Sequence, residues 1–117
     1  MTDKTTTIDA AGQTLGRVAS AAAKALMGKT RADYVPHLSS DTSVQIVNAG
    51  KLKVREKKLL SQQYQNYSGH PGGQRIETLK SLSARKGYGA AIRLAVQRML
   101  PNNTMRVGRL KRLHISE

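Results

Sequence analysis

Thr5-Thr6-Thr7-Ile8-Asp9-Ala10, then Thr14-Leu15-Gly16-Arg17-Val18-Ala19, and later Ser43-Val44-Gln45-Ile46-Val47-Asn48-Ala49 are the runs that decide the fold. Three Thr and an Ile favour a strand. Ala11-Gly12-Gln13 makes a turn. Thr14 suits a helix N-cap, and Leu15, Val18, Ala19, Ala22, Ala25 and Leu26 follow at helical spacing. Gly28 suits the C-cap, with Lys29 and Arg31 just beyond. Tyr34-Val35-Pro36-His37 is extended, because the Pro36 ring disfavours helical geometry at Val35. Val44, Ile46 and Val47 then mark a second strand. Strand, helix, strand implies two parallel strands joined by a right-handed crossover, hence an α/β fold.

Beyond Ala49 the chain is basic. Lys51 to Leu60 reads as irregular, anchored by Leu52, Val54 and Leu59. Gln62 to Tyr67 suits a third strand, polar enough for a sheet edge. Ser68-Gly69-His70-Pro71-Gly72-Gly73 is a loop by composition. Ile76, Leu79 and Leu82 predict a helix over residues 76–86, stopped at Gly87. A longer helix spans residues 90–100, with Ile92, Ala95, Val96, Met99 and Leu100 facing the core and Arg93 and Gln97 opposite. Pro101 ends it. Asn102 to Leu110 reads as loop or short helix, and Arg112 to Ser116 as a last strand. There is no internal repeat or low-complexity linker, so residues 1–117 are taken as one domain.

Charge separates the two parts of the chain. The whole carries a formal +13 at pH 7. Residues 1–50 hold five basic and four acidic side chains; residues 51–117 hold fifteen basic and three acidic. Such an excess in a small domain points to a polyanionic partner, because an unneutralised compact state repels itself. The basic residues are interleaved with apolar ones, so they belong to folded elements and not to a tail. Aromatics are only 3 % of the chain, with no Phe or Trp. A single-strand binder needs stacking platforms, so the composition favours folded RNA read by backbone and shape.

Other classes find little support. No run approaches the roughly 18 apolar residues of a membrane helix, and the polar Met1–Thr7 start does not resemble a secretory signal. Without Cys there is no disulfide, thiolate metal site or thiol nucleophile. Gly28-Lys29-Thr30 resembles the end of a phosphate-binding loop, but Ala23 stands where that loop needs Gly, and a helix precedes it where one should follow. Gly12 and Gly16 do not complete a dinucleotide fingerprint. His37, His70 and His114 form no pair at metal-ligand spacing. Asp9 and Asp33 lack partners for acid–base work, and Asp9 better suits a turn or cap. No metal, cofactor or small-molecule substrate is implied. An RNA-modifying enzyme would need a clustered acid–base set or a cofactor site. A DNA-packaging protein would need a dimerising or groove-entering element. Neither is evident in the sequence.

Several motifs together resemble the universal large-subunit ribosomal protein thirteen family in its bacterial form. They are Ile8-Asp9-Ala10 with Gly12 and Thr14-Leu15-Gly16-Arg17; Tyr34-Val35-Pro36-His37; Val47-Asn48-Ala49 with Lys51; Gly69-His70-Pro71-Gly72-Gly73; and Ala95-Val96 through Met99-Leu100-Pro101 with Asn103. They occur in the family's order over nearly the whole chain. The resemblance implies a three-layer α/β/α fold with a four-stranded, mostly parallel sheet. It implies a non-enzymatic protein of the cytoplasmic large ribosomal subunit that binds large-subunit ribosomal RNA beside neighbouring ribosomal proteins and supports early assembly. This chain departs from the family at Arg55-Glu56-Lys57-Lys58, at Asn66-Tyr67 and at Asn102, and it lacks the family's usual terminal extensions.

The RNA contacts expected on these grounds are Arg17, Lys29, Arg31 and His37 in the first part. In the second they are Lys51, Lys53, Lys57, Lys58, Tyr67, His70, Gly72, Gly73, Arg75, Arg98, Arg106, Arg109, Lys111 and Arg112. The Arg106–Arg112 cluster is expected on the surface, where Ala at Arg109 and Arg112 would weaken RNA binding and leave stability nearly unchanged.

Overall fold

A computed structural model describes residues 5–38 and 41–117. Met1–Lys4, most of the polar leader, and Ser39–Ser40 lie outside the described residues. Strand β1 (Thr5–Asp9), helix α1 (Leu15–Met27) and strand β2 (Ser43–Val47) form the expected unit, with β1 and β2 parallel and Ile8 opposite Ile46. Gly28 caps α1 in the left-handed conformation at φ 83°, and its N–H reaches the Ala25 carbonyl at 3.1 Å. Between α1 and β2 the chain has no regular element at Tyr34 and Val35, then turns, with Leu38 N–H donating to the Val35 carbonyl at 3.2 Å.

After β2 comes a 3₁₀ turn (Ala49–Lys51), then α2 (Glu56–Ser61), β3 (Gln63–Tyr67), β4 (Gln74–Thr78), α3 (Leu79–Lys86), α4 (Tyr88–Met99), α5 (Met105–Lys111) and β5 (Leu113–Ile115). Strand β5 pairs with β2 in parallel, giving the order β1-β2-β5.

The sheet corrects the four-stranded expectation. Among the described residues it holds three strands, and β3 pairs only with β4, antiparallel, in a separate two-stranded sheet. The reason is visible in composition. The β3 run Gln63-Tyr64-Gln65-Asn66-Tyr67 offers one buried side chain, Tyr64, where a strand inside a parallel sheet needs branched residues on both faces. The helix expected from Ile76 begins only at Leu79, because residues 74–78 are spent on β4; Ile76 is exposed. Thr78 caps α3 by accepting the Ser81 N–H. The basic stretch after Lys51 is more regular than expected, since Glu56–Ser61 is helical.

The core lies on one face of the parallel sheet. Val44, Ile46 and Leu113 are buried there against Val18, Ala22 and Leu26 of α1 and Ile92 and Val96 of α4. The other face is open: Thr7, Gln45 and His114, side by side in register, are all exposed. The described helices thus build one layer over the sheet and not the sandwich the resemblance implied. Met99, expected on the core face of α4, is exposed as well, and Leu100 fills the core beyond it.

Candidate nucleic-acid interface

The carboxyl ends of β1 and β2 form the first region. Asp9 ends β1, and its carboxylate accepts the Ala11 N–H and the Asn48 side-chain amide, each at 3.0 Å. The Gln13 side-chain amide donates to the Asp9 carbonyl at 2.8 Å. The Ala11 N–H first and the Asn48 amide next hold the Asp9 carboxyl below its ordinary value; burial opposes them, and the Lys51 charge adds the least. Asp9 is therefore a turn-former, as the sequence suggests, and Asn48 can adopt φ 59° beside it. The network fixes the loop carrying Lys51, while Lys53 N–H bonds the Gln13 carbonyl at 2.9 Å. Both lysine side chains are exposed, as is Arg17 on α1.

The β3–β4 hairpin forms the second region. A concavity of about 860 Å³ runs along it, lined by Tyr67, Gly72, Gly73, Arg75, Glu77, Arg85 and Lys86 among others. Gly72 sits at φ 72° in the connecting loop, a conformation that favours glycine, and Gly73 N–H closes the turn on the His70 carbonyl at 2.9 Å. Glu77 binds Arg85 through two hydrogen bonds of 2.9 and 2.8 Å. Those bonds lower the Glu77 carboxyl pKa and raise that of Arg85. Arg75 makes no ion pair among the described residues. Tyr67 and Ile76 lie on the same hairpin face at 69 % and 58 % exposure. Arg75, opposite Asn66 in the register, lies on the other face of the hairpin.

The third region is the α5–β5 corner, and here the expectation is corrected. Arg109 is 2 % exposed, and its Nε has no hydrogen-bond partner. It is an interior side chain, not a surface contact. Burial pushes the Arg112 guanidinium down from its ordinary value; Asp41 opposes that shift and the Arg109 charge reinforces it. Arg106 is half-buried and Lys111 exposed. Arg93, outside the predicted set, reaches the Leu113 and Leu110 carbonyls at 3.5 Å and ties α4 to this corner. Spacing showed four cations in seven residues but not which of them the short α5 turns inward.

The remaining sites are dispersed. Lys29 and His37 are exposed beyond α1, while Arg31 pairs with Asp33 at 2.9 Å. Lys57 and Lys58 lie on α2, and Arg98 sits 5.5 Å over the Tyr64 ring. Among the described residues no group of His, Asp or Glu could hold a metal ion. No helix among them is long and apolar enough to cross a membrane.

These features define a class: a small basic α/β protein whose cations line its loops, hairpin and helix ends around a compact apolar layer. A profile of the ribosomal protein L13 family matches residues 3–117. Proteins called large ribosomal subunit protein uL13 are similar to the chain. The one from Lachnoclostridium phytofermentans is 44 % identical over 108 residues, covering 92 % of this chain and 74 % of its own length. The one from Thermotoga petrophila is 45 % identical over 112 residues, covering 92 % and 72 %. The one from Prochlorococcus marinus SARG is 42 % identical over 98 residues, covering 84 % and 65 %. The chain belongs to the ribosomal protein L13 family. It is thus a structural ribosomal protein of the large subunit in the cytoplasm and not an enzyme. It spans about two thirds to three quarters of the length of these relatives.

Proposed function

We propose that the whole chain acts as one domain that binds large-subunit ribosomal RNA and supports early subunit assembly by bridging phosphates of several RNA helices. The observation that carries this is the placement of cations that lack a protein counter-charge. Arg17, Lys29, Lys51, Lys53, Lys57, Arg75 and Lys111 are exposed and make no ion pair among the described residues. They lie on separate elements, so a single RNA strand along one groove would leave many of them idle. Several RNA segments meeting at this protein would use them together. Tyr67, His70, Gly72 and Gly73 supply the hairpin contacts, with His37, Lys58, Arg98, Arg106 and Arg112 at the margins. Arg31 joins by exchanging Asp33 for phosphate. Arg109 contributes from inside, as the side chain on which the α5 corner is built. The surfaces left over would meet neighbouring ribosomal proteins.

The mechanism is counterion release: each phosphate neutralised frees condensed cations, so affinity depends steeply on salt. With about six phosphates engaged, affinity for large-subunit RNA should fall by roughly three orders of magnitude between about 50 and 200 mM salt. Filter binding across that range tests it. A flat response would refute phosphate bridging.

A further inference from the structure

The parallel sheet ends in two unlike edges. Strand β5 is three residues long, and Arg93 covers part of it by reaching the Leu113 carbonyl at 3.5 Å. Strand β1 is five residues long and pairs only with β2 among the described residues. It carries none of the usual edge defences. Thr5-Thr6-Thr7-Ile8-Asp9 holds no Pro and no Lys, and its one-to-one register with β2 leaves no bulge. In a parallel ladder successive residues turn their N–H and C=O groups alternately to one side and the other. The Ala10 N–H donates to the Val47 carbonyl of β2 at 3.0 Å, so Thr5, Thr7 and Asp9 turn their backbone groups to the open edge. Gln13 meets the Asp9 carbonyl; the Thr7 N–H and C=O and the Asp9 N–H face outward.

A groove of about 540 Å³ runs between this edge and α1. Thr6 and Ile8 form its strand side, and Ser20, Ala21 and Ala25 its helix side. Those small side chains leave open the space where the side chains of a further strand beside β1 would stand. Arg17 and Lys24 line the same groove; both are exposed and make no ion pair among the described residues. No carboxylate is among the lining residues. The two cations stand about 10 Å apart along the helix axis. On one face of a strand, residues i and i+4 lie about 13 Å apart, so a carboxylate at each position is within reach of a cation.

We propose that the β1 edge and its groove bind an extended acidic segment of another protein, added to the sheet as a strand. The backbone row decides for a polypeptide: alternating N–H and C=O groups match another peptide backbone, and RNA offers no such row. The charge decides its chemistry. Carboxylates at every fourth residue meet Arg17 and Lys24, and an apolar side chain between them rests on Ile8 and Ala21. The pattern recognised is Glu-x-Val-x-Glu. A second copy of this chain is disfavoured, because each carries a formal +13. Arg17 then serves this edge, and the RNA surface keeps the other cations.

The test is an amide NMR titration of the full chain with the synthetic peptide Thr-Glu-Thr-Val-Thr-Glu-Thr. The Thr7 and Asp9 amides should shift saturably and exchange more slowly with solvent. The same peptide with Lys in place of both Glu should not bind. Thr7→Pro removes an outward donor at a position where an edge strand tolerates proline, and it should weaken binding by about tenfold, the worth of one hydrogen bond. A second variant leaves the strand untouched: Ala21→Glu, on the exposed side of α1, puts a carboxylate in the groove and should weaken binding with the unfolding temperature unchanged. Arg17→Glu combined with Lys24→Glu should reverse the preference and bind the Lys peptide. Equal binding of the two peptides, or β1 amides that ignore both, would overturn the proposal. So would β1 amides that respond to a short RNA duplex and not to the acidic peptide. Protection of those amides that grows with protein concentration alone would assign the edge to a second copy and overturn it too.

Discussion

Asp9 and Arg109 show how single side chains set this structure, one at the surface and one inside. The Asp9 carboxylate is held below its ordinary value chiefly by the Ala11 N–H and then by Asn48. A carboxyl with a depressed folded pKa adds stability that is complete above the ordinary aspartate value of about 3.9. That stability is lost as pH falls through the lower folded value. The wild-type chain should therefore lose its advantage over Asp9→Asn as pH falls from about 5 through and below the ordinary aspartate value of about 3.9. Thermal unfolding of both proteins across that range measures it; a constant difference would mean the carboxylate charge does nothing there. Asp9 as a turn residue was legible, because Asp at a strand end beside Gly12 has a local role. Arg109 was not. Seven residues of α5 give too few turns for periodicity to assign an inward face, and charge suggests the outside. Its burial reverses the stability expectation. Arg109→Ala should cost about 2 kcal/mol or more through the space it leaves. Arg109→Met should keep most of the stability, because it preserves volume and removes a guanidinium whose Nε is unpaired. Denaturant unfolding of the two variants distinguishes packing from charge, and equal losses would contradict the packing role.

At the scale of elements, β1, α1 and β2 followed from pattern alone. Branched residues, an amphipathic run of Ala, Leu and Val, and Gly28 each point to the same local structure. Gly28→Ala should cost about 1 kcal/mol, since φ 83° suits glycine, and chemical denaturation would show it. The hairpin was only half legible. Ser68–Gly73 is a loop by composition, but Ile76 at helical spacing from Leu79 masked a strand. Pairing with β3 overrode the local period, and Ile76 turned to solvent beside Tyr67. That exposed pair gives the hairpin a function to test. Tyr67→Ala should weaken RNA binding severalfold and shift stability by no more than about 0.5 kcal/mol, as for an exposed residue outside the core. A large loss of stability with unchanged RNA affinity would make the hairpin face structural only.

The whole molecule measures 46 × 36 × 18 Å, with a radius of gyration of 15.4 Å; a compact chain of this length has about 13 Å. The excess suits a slab that offers broad surface for its mass. Its apolar layer lies on one face of a three-stranded sheet, and the polar face carrying Thr7, Gln45 and His114 is open. Among the described residues that sheet has three strands, and the second helical layer and fourth parallel strand were implied by family likeness, not read from this sequence's own pattern. The charge was legible, and its segregation after residue 50 survives as cations on loops, hairpin and helix ends. What sequence could not show was where those cations converge. Lys58, Arg98 and the start of α1 are far apart in the chain and adjacent in space. The central claim is that this slab lives on large-subunit RNA. Sedimentation of cell extract on a sucrose gradient in low salt tests it most directly. The protein should run with the large subunit and leave it as salt is raised; a protein that stays at the top of the low-salt gradient would contradict the claim.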